Sequence, residues 1–132
     1  MAVRKLEHVG IMVSNMEQSI AFYTEVVGLK HLYTMMHTDG VIRLAFLAGT
    51  DGEESEIELI ENYPGALAAE GRTHHVAFTV DDVEAEFERI KSLAGVKLRD
   101  AEITTLPNGA RYFFFEGPDG EFLEMFQPGR KL

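Results

Sequence analysis

Two histidines and two glutamates recur at matched positions in this 132-residue chain. His8 heads the run HVGIMV, His75 heads HVAFTV, and 75 − 8 = 67. Glu58 stands inside IELI, Glu124 inside LEMF, and 124 − 58 = 66. Each half thus offers one imidazole early and one carboxylate late. If the halves meet about a pseudo-twofold axis, the two pairs converge on one point. Such a set suits a borderline-to-hard divalent cation with water completing the shell, and without thiolate it argues against a closed structural zinc site. Open positions mean substrate access.

Singly, each residue has a plainer reading. A strand histidine is often only a half-exposed side chain, and Glu54, Glu56 and Glu58 could form the solvated face of one strand. Glu124 differs, because Phe122 and Phe126 share its face and a carboxylate among aromatics is costly unless a charge, a metal or a proton compensates it. The four are specific as a repeated set. His74 points away from His75 if the strand is regular, and His31 and His37 have no repeat partner. Arg43 and Arg111 fall on corresponding strands and are candidates to hold an anionic substrate. The aromatic run from Tyr112 to Phe115 reads as core.

The elements that must carry these residues also repeat. Lys5 to Val13 alternates, with Val9, Ile11 and Val13 on one face and His8, Gly10 and Met12 on the other, which predicts a half-buried strand. Ser14-x-x-Glu17 reads as a capping box with Ser14 as N-cap, opening a helix through Ile20, Tyr23 and Val27 that Gly28 ends. Strands are expected over Leu29 to His37, Val41 to Ala48 and Glu54 to Asn62, with turns at Asp39-Gly40 and Asp51-Gly52. After a Pro- and Gly-containing connector the order returns: strand Thr73 to Val80, a helix capped by Asp81-x-x-Glu84 and ended near Gly95, and strands Val96 to Thr104, Ala110 to Glu116 and Glu121 to Gln127. Both halves read βαβββ. The expected organisation is one domain over 1–132, with module one at 1–62, the connector at 63–72 and module two at 73–132.

Bulk composition narrows the function. The chain has 45% hydrophobic and 26% charged residues, as a folded domain does. Against 22 acidic residues stand 12 basic ones, a formal charge of −10 that repels nucleic acid and anionic membranes. There is no cysteine, so any metal must be held by nitrogen and oxygen. No apolar run approaches the roughly 18 to 20 residues of a membrane span, and MAVRKLEHV has no signal-peptide core. A cytoplasmic protein acting on a small molecule is expected.

With these residues in view, the sequence resembles the vicinal oxygen chelate superfamily, the glyoxalase, bleomycin-resistance and dioxygenase group. HVGIMV, HHVAFTVDD, the helix end FYTEVVGLK, IELIEN and FFFEGPDGEFLEMF carry the likeness over nearly the whole chain. The resemblance implies an α+β fold of two tandem βαβββ modules forming an open, curved, half-barrel mixed sheet around a metal site. The order His, Glu, His, Glu is similar to that of short bacterial glyoxalase I. By that likeness His8, Glu58, His75 and Glu124 hold one divalent ion (nickel, cobalt, zinc or manganese), and Asn62 matches an asparagine that contacts glutathione. Met12 stands where glyoxalase I carries an arginine.

The implied activity is glyoxalase I-like isomerisation of a thiol hemithioacetal of methylglyoxal, with Glu124 as the favoured base and Glu58 as the alternative. Methylmalonyl-CoA epimerase is also similar but has glutamine where this chain has Glu58. Extradiol dioxygenases and fosfomycin-modifying enzymes generally use three ligands. Some members of the group bind drugs without catalysis. A homodimer is implied by the family likeness.

Overall fold

Period-two alternation on either side of a short capped helix gives each half of the chain a strand, a helix and a run of strands, with one strand of the second half broken in two. The computed structural model describes residues 6–49, 55–65, 71 and 73–129. The chain divides into two compact units, Met1–Leu67 and Ala68–Leu132. The first holds β1 (His8–Val13), α1 (Met16–Glu25), β2 (Lys30–Met36), β3 (Arg43–Ala48) and β4 (Glu56–Glu61). Its sheet runs β1-β4-β3-β2, parallel between β1 and β4 and antiparallel elsewhere. The second holds β5 (Val76–Thr79), α2 (Val83–Ser92), β6 (Lys97–Leu98), β7 (Thr104–Thr105), β8 (Arg111–Glu116) and β9 (Phe122–Gln127). Its order is β5-β9-β8-β6, with β7 also pairing β8. The class is α+β, two βαβββ modules with open mixed sheets, as expected. No helix among the described residues is long and apolar enough to cross a membrane.

Each helix covers one face of its own sheet. In the first unit Met16, Ser19 and Tyr23 of α1 are buried, as are Ala45 and Leu47 of β3 and Ile57 and Leu59 of β4. In the second, Val83, Phe87 and Ile90 of α2 are buried with Phe113, Phe115, Leu123 and Met125, and the Phe87 and Phe113 rings meet edge to face at 5.2 Å. Burying each large side chain of this kind contributes about 1.5–3 kcal/mol. The opposite face of each sheet carries the even-numbered residues of β1, β4, β8 and β9.

Both helices begin one residue later than the capping boxes suggest. Asn15, not Ser14, caps α1, its side chain accepting from the Gln18 N–H at 2.9 Å. Asp82, not Asp81, caps α2, accepting from Ala85 at 3.1 Å. The sequence nests two boxes, Ser14-x-x-Glu17 and Asn15-x-x-Gln18, and Glu17 is drawn off to Arg43 on β3. The repeat survives the correction, since 82 − 15 = 67. Gly28 and Gly95 follow the helices at φ of +91° and +84°, a conformation in which a Cβ would be strained.

The expected strand from Val96 to Thr104 is broken. Leu98 pairs with Phe115 and Thr104 with Tyr112, so six residues on one side span three on the other (104 − 98 = 6; 115 − 112 = 3). The Asp100 carboxylate accepts from the Phe114 N–H at 2.7 Å, taking the place of a backbone carbonyl and turning the chain out of the ladder. The predicted turn at Asp51-Gly52, the strand starts at Lys5 and Glu54, and connector residues 66–70 and 72 lie outside the described residues.

Candidate metal centre

β1 and β4 run parallel, and their register sets Gly10 opposite Glu58, with His8 two residues earlier on the same face. Long side chains reach across that diagonal, and with no side chain at Gly10 the carboxylate can bend back over it. His8 Nε2 lies 3.7 Å from Glu58 Oε1. The second unit repeats the device: Ala77 stands opposite Glu124, and His75 Nε2 lies 3.3 Å from Glu124 Oε1. Each pair has a phenylalanine beside it. Phe46 is the register partner of Glu58 and presents an edge to His8 at 6.3 Å; Phe114 is the partner of Glu124 and meets His75 edge-on at 4.9 Å.

Glu124 is buried, at 7% exposure. Burial pushes its carboxyl above the usual carboxylate range; His75 opposes the rise and Asp100 adds to it. A cation between His75 and Glu124 would restore the ionised form. The spacing also fits one: two ligands about 2.0–2.2 Å from an ion stand roughly 3.0–3.4 Å apart at bites between a right angle and tetrahedral. The second pair has that separation and the first needs to close by a few tenths of an ångström. Each unit offers two donors, and among the described residues no three His, Asp or Glu side chains gather in one metal-holding group.

The two arginine candidates sit elsewhere. Arg43 and Arg111 lie on the helix side of their sheets, since Arg43 pairs with Glu61, three residues and therefore one face away from Glu58. The Arg43 guanidinium is held by Glu61 at 2.7 Å and Glu17 at 2.9 Å, and Arg111 by Glu84 at 2.8 Å. Asn62 follows β4 at φ +70° and donates its side-chain N–H to the Val41 carbonyl at 3.1 Å. The aromatic run is split: Phe113 and Phe115 are core, whereas Tyr112 and Phe114 share the face of Glu124.

Three side chains escaped the sequence reading. Glu61 is buried at 7% exposure on the core side, in step with Ile57 and Leu59, a parity that could have revealed it. His74 does not point away from His75, because β5 begins only at Val76; its Nδ1 lies 3.0 Å from His75 Nδ1. Glu7 makes the corresponding contact with His8 at 3.3 Å.

The profile of the Glyoxalase/Bleomycin resistance protein/Dioxygenase superfamily matches residues 5–125. The uncharacterized protein YwbC of Bacillus subtilis is 52% identical over 124 residues, 94% of this chain and 98% of its own. Lactoylglutathione lyase of Salmonella typhimurium is 34% identical over 134 residues, covering 97% and 98%. Among solved structures, TnmS3, an antibiotic-binding protein from Streptomyces, superposes with a TM-score of 0.76 at 25% identity over 97% of this chain and 98% of its own. The repeated modules, the paired donors and the profile over nearly the full length agree: the chain belongs to the Glyoxalase/Bleomycin resistance protein/Dioxygenase superfamily.

Proposed function

We propose that the two histidine–glutamate pairs serve a single divalent cation and that the protein is a glyoxalase I-like isomerase of a thiol hemithioacetal of methylglyoxal. The repeated Nε2-to-Oε1 pairing, 3.7 Å in one unit and 3.3 Å in the other, carries this reading. The likeness to lactoylglutathione lyase supports it. His8, Glu58, His75 and Glu124 would hold the ion. When bound, a divalent cation polarises the substrate oxygens and stabilises charge developing next to the carbonyl.

The proton is moved by the chain's own carboxylates. Glu124 removes the proton from the carbon bearing sulfur and oxygen and returns it to the neighbouring carbonyl carbon, while the hydroxyl hydrogen passes to the oxygen of the former carbonyl, so that hemithioacetal becomes thioester with no net change in atoms. Its buried setting favours proton uptake, which suits a base. Glu58, more open at 16% side-chain exposure, is the alternative base. Asn62 is proposed as a substrate contact through its amide oxygen, and the assembly is proposed to be a homodimer.

A second reading has its own support. The likeness to an antibiotic-binding protein, together with a site face that sets Tyr112, Phe114 and Phe126 around Glu124, suits capture of an apolar ligand without turnover. Elemental analysis of protein purified without chelator separates the two. One ion per chain, with turnover of methylglyoxal hemithioacetals made from glutathione or other thiols, is expected. No bound metal, and no rise in melting temperature with nickel, cobalt, manganese or zinc, overturns the enzyme in favour of the binder.

A further inference from the structure

An imidazole offers a metal one nitrogen only if its hydrogen is on the other, and a rotating ring must be stopped at the right angle. Here the Nε2 atoms of His8 and His75 face carboxylates, and both Nδ1 atoms have a partner as well. His8 Nδ1 lies 3.3 Å from Glu7 Oε1, and His75 Nδ1 lies 3.0 Å from His74 Nδ1. Each partner is the residue just before its histidine, and 74 − 7 = 67, the offset of the repeat.

In a regular strand, adjacent side chains point to opposite faces and could not meet this way. The contact exists because each partner precedes its strand: β1 begins at His8 and β5 at Val76. The partners are themselves placed. The Glu7 carbonyl accepts from the Glu56 N–H at 2.9 Å, tying its backbone to the start of β4. The His74 ring lies against Phe122 at 5.3 Å and edge-on to Phe114 at 6.5 Å.

We propose that Glu7 and His74 are positioning residues: each accepts the Nδ1–H of the histidine that follows it and so keeps that ring's Nε2 lone pair free for a cation held jointly with the glutamate across the strand. A carboxylate has no hydrogen to give, so Glu7 admits only the Nδ1–H form of a neutral His8. His74 does the same for His75 when its own hydrogen is on Nε2. The consequence for metal binding rests on the function proposed above; the tautomers do not.

The test uses the metal-free full chain, labelled with ¹⁵N-histidine, at a pH where the ring ¹⁵N shifts themselves show neutral imidazoles. Long-range ¹H–¹⁵N spectra are expected to show Nδ1–H on both His8 and His75. Glu7→Ala and His74→Ala should each return the following ring to Nε2–H, while Glu7→Gln and His74→Gln, which keep an acceptor, should restore Nδ1–H. In chelator competition the Ala variants should lose about 10–100-fold in zinc affinity and the Gln variants recover most of it. Nε2–H on either ring of the unsubstituted protein, or tautomers indifferent to these substitutions, overturns the proposal. If zinc fails to bind the unsubstituted chain while the tautomers behave as stated, the positioning stands and the metal function falls.

Discussion

The Glu61 carboxylate accepts the backbone N–H of Met16, the first residue of α1, at 2.6 Å, and it also binds Arg43 at 2.7 Å. The second unit has the same joint in neutral form: Gln127 accepts from Val83, the first residue of α2, at 2.8 Å, and 127 − 61 = 66. In both units the last strand therefore caps the helix that crosses its sheet. The anionic version is coupled to a guanidinium, so its removal strands the buried Met16 N–H and also leaves the part-exposed Arg43 with Glu17 alone. Glu61→Ala is expected to cost about 2–3 kcal/mol, Gln127→Ala about 1 kcal/mol, and Glu61→Gln to fall between them. Urea unfolding checks the order; equal losses for the two alanine variants would refute the coupling.

Glu124 carries a conflict between stability and chemistry. Its raised pKa means that the folded, metal-free chain holds the proton longer than the unfolded chain does. As pH rises through the ordinary value of 4.5, the unfolded state ionises first and the fold loses stability until the raised value is passed. Glu124→Gln has no such charge to bury. Its melting temperature in chelator should match the unsubstituted protein at low pH and exceed it increasingly as pH rises above 4.5, reaching a plateau once the raised value is passed. The same substitution should lower turnover of the metal-loaded protein about 10²–10⁴-fold. A melting difference independent of pH, or unaltered turnover, contradicts this account.

Much of the architecture was readable because its signals are local. Period-two runs, helix caps and turn glycines each lie within a few residues, and the 67-residue offset ties the two copies together. Singling out His8, Glu58, His75 and Glu124 as one set followed from that offset, whereas the contact of each histidine with the glutamate of its own unit comes from the parallel pairing of first and last strands. What could not be read depends on register. The run RLAFLA of β3 is apolar on both faces, so nothing local says that Arg43 turns toward α1 rather than toward Glu58. The break at Asp100 needs Phe114, 14 residues on, to take its carboxylate. Nor does spacing say which imidazole nitrogen faces which partner, since that is a rotation within one side chain.

Gly129 lies on the backbone of the Asn108-Gly109 turn. A Cβ there would overlap the carbonyl carbon of Gly109 and the amide nitrogen of Ala110, and it would sit 2.7 Å from the Asn108 carbonyl oxygen. Backbone cannot step aside as a side-chain tip can, so Gly129→Ala must shift the end of the chain or the hairpin between β7 and β8. It is expected to destabilise by about 1–3 kcal/mol. At Gly117 the three atoms nearest to an added Cβ all belong to the Glu121 carboxylate, the movable end of a long side chain. Gly117→Ala should cost clearly less, by thermal or urea unfolding. If the two are equal, the close approach at Gly129 is not a constraint.

Gly10 tests whether the space beside Glu58 matters to the donor pair. An added Cβ would lie 3.0 Å from Ile60 Cδ1 and 3.5 Å from Glu58 Oε1. The isoleucine tip can yield by a few tenths of an ångström, and Ala77 shows that the equivalent position in the second unit accommodates a methyl group. Gly10→Ala should therefore leave zinc affinity within a few-fold. Valine extends the side chain by two further methyl groups into the space through which Glu58 reaches back toward His8, so Gly10→Val should drive the carboxylate off and weaken zinc binding by about 10–100-fold. Chelator competition on the three proteins measures this directly. An unchanged affinity in Gly10→Val, with the fold intact by circular dichroism, would mean that Glu58 does not bind from the position it occupies beside His8.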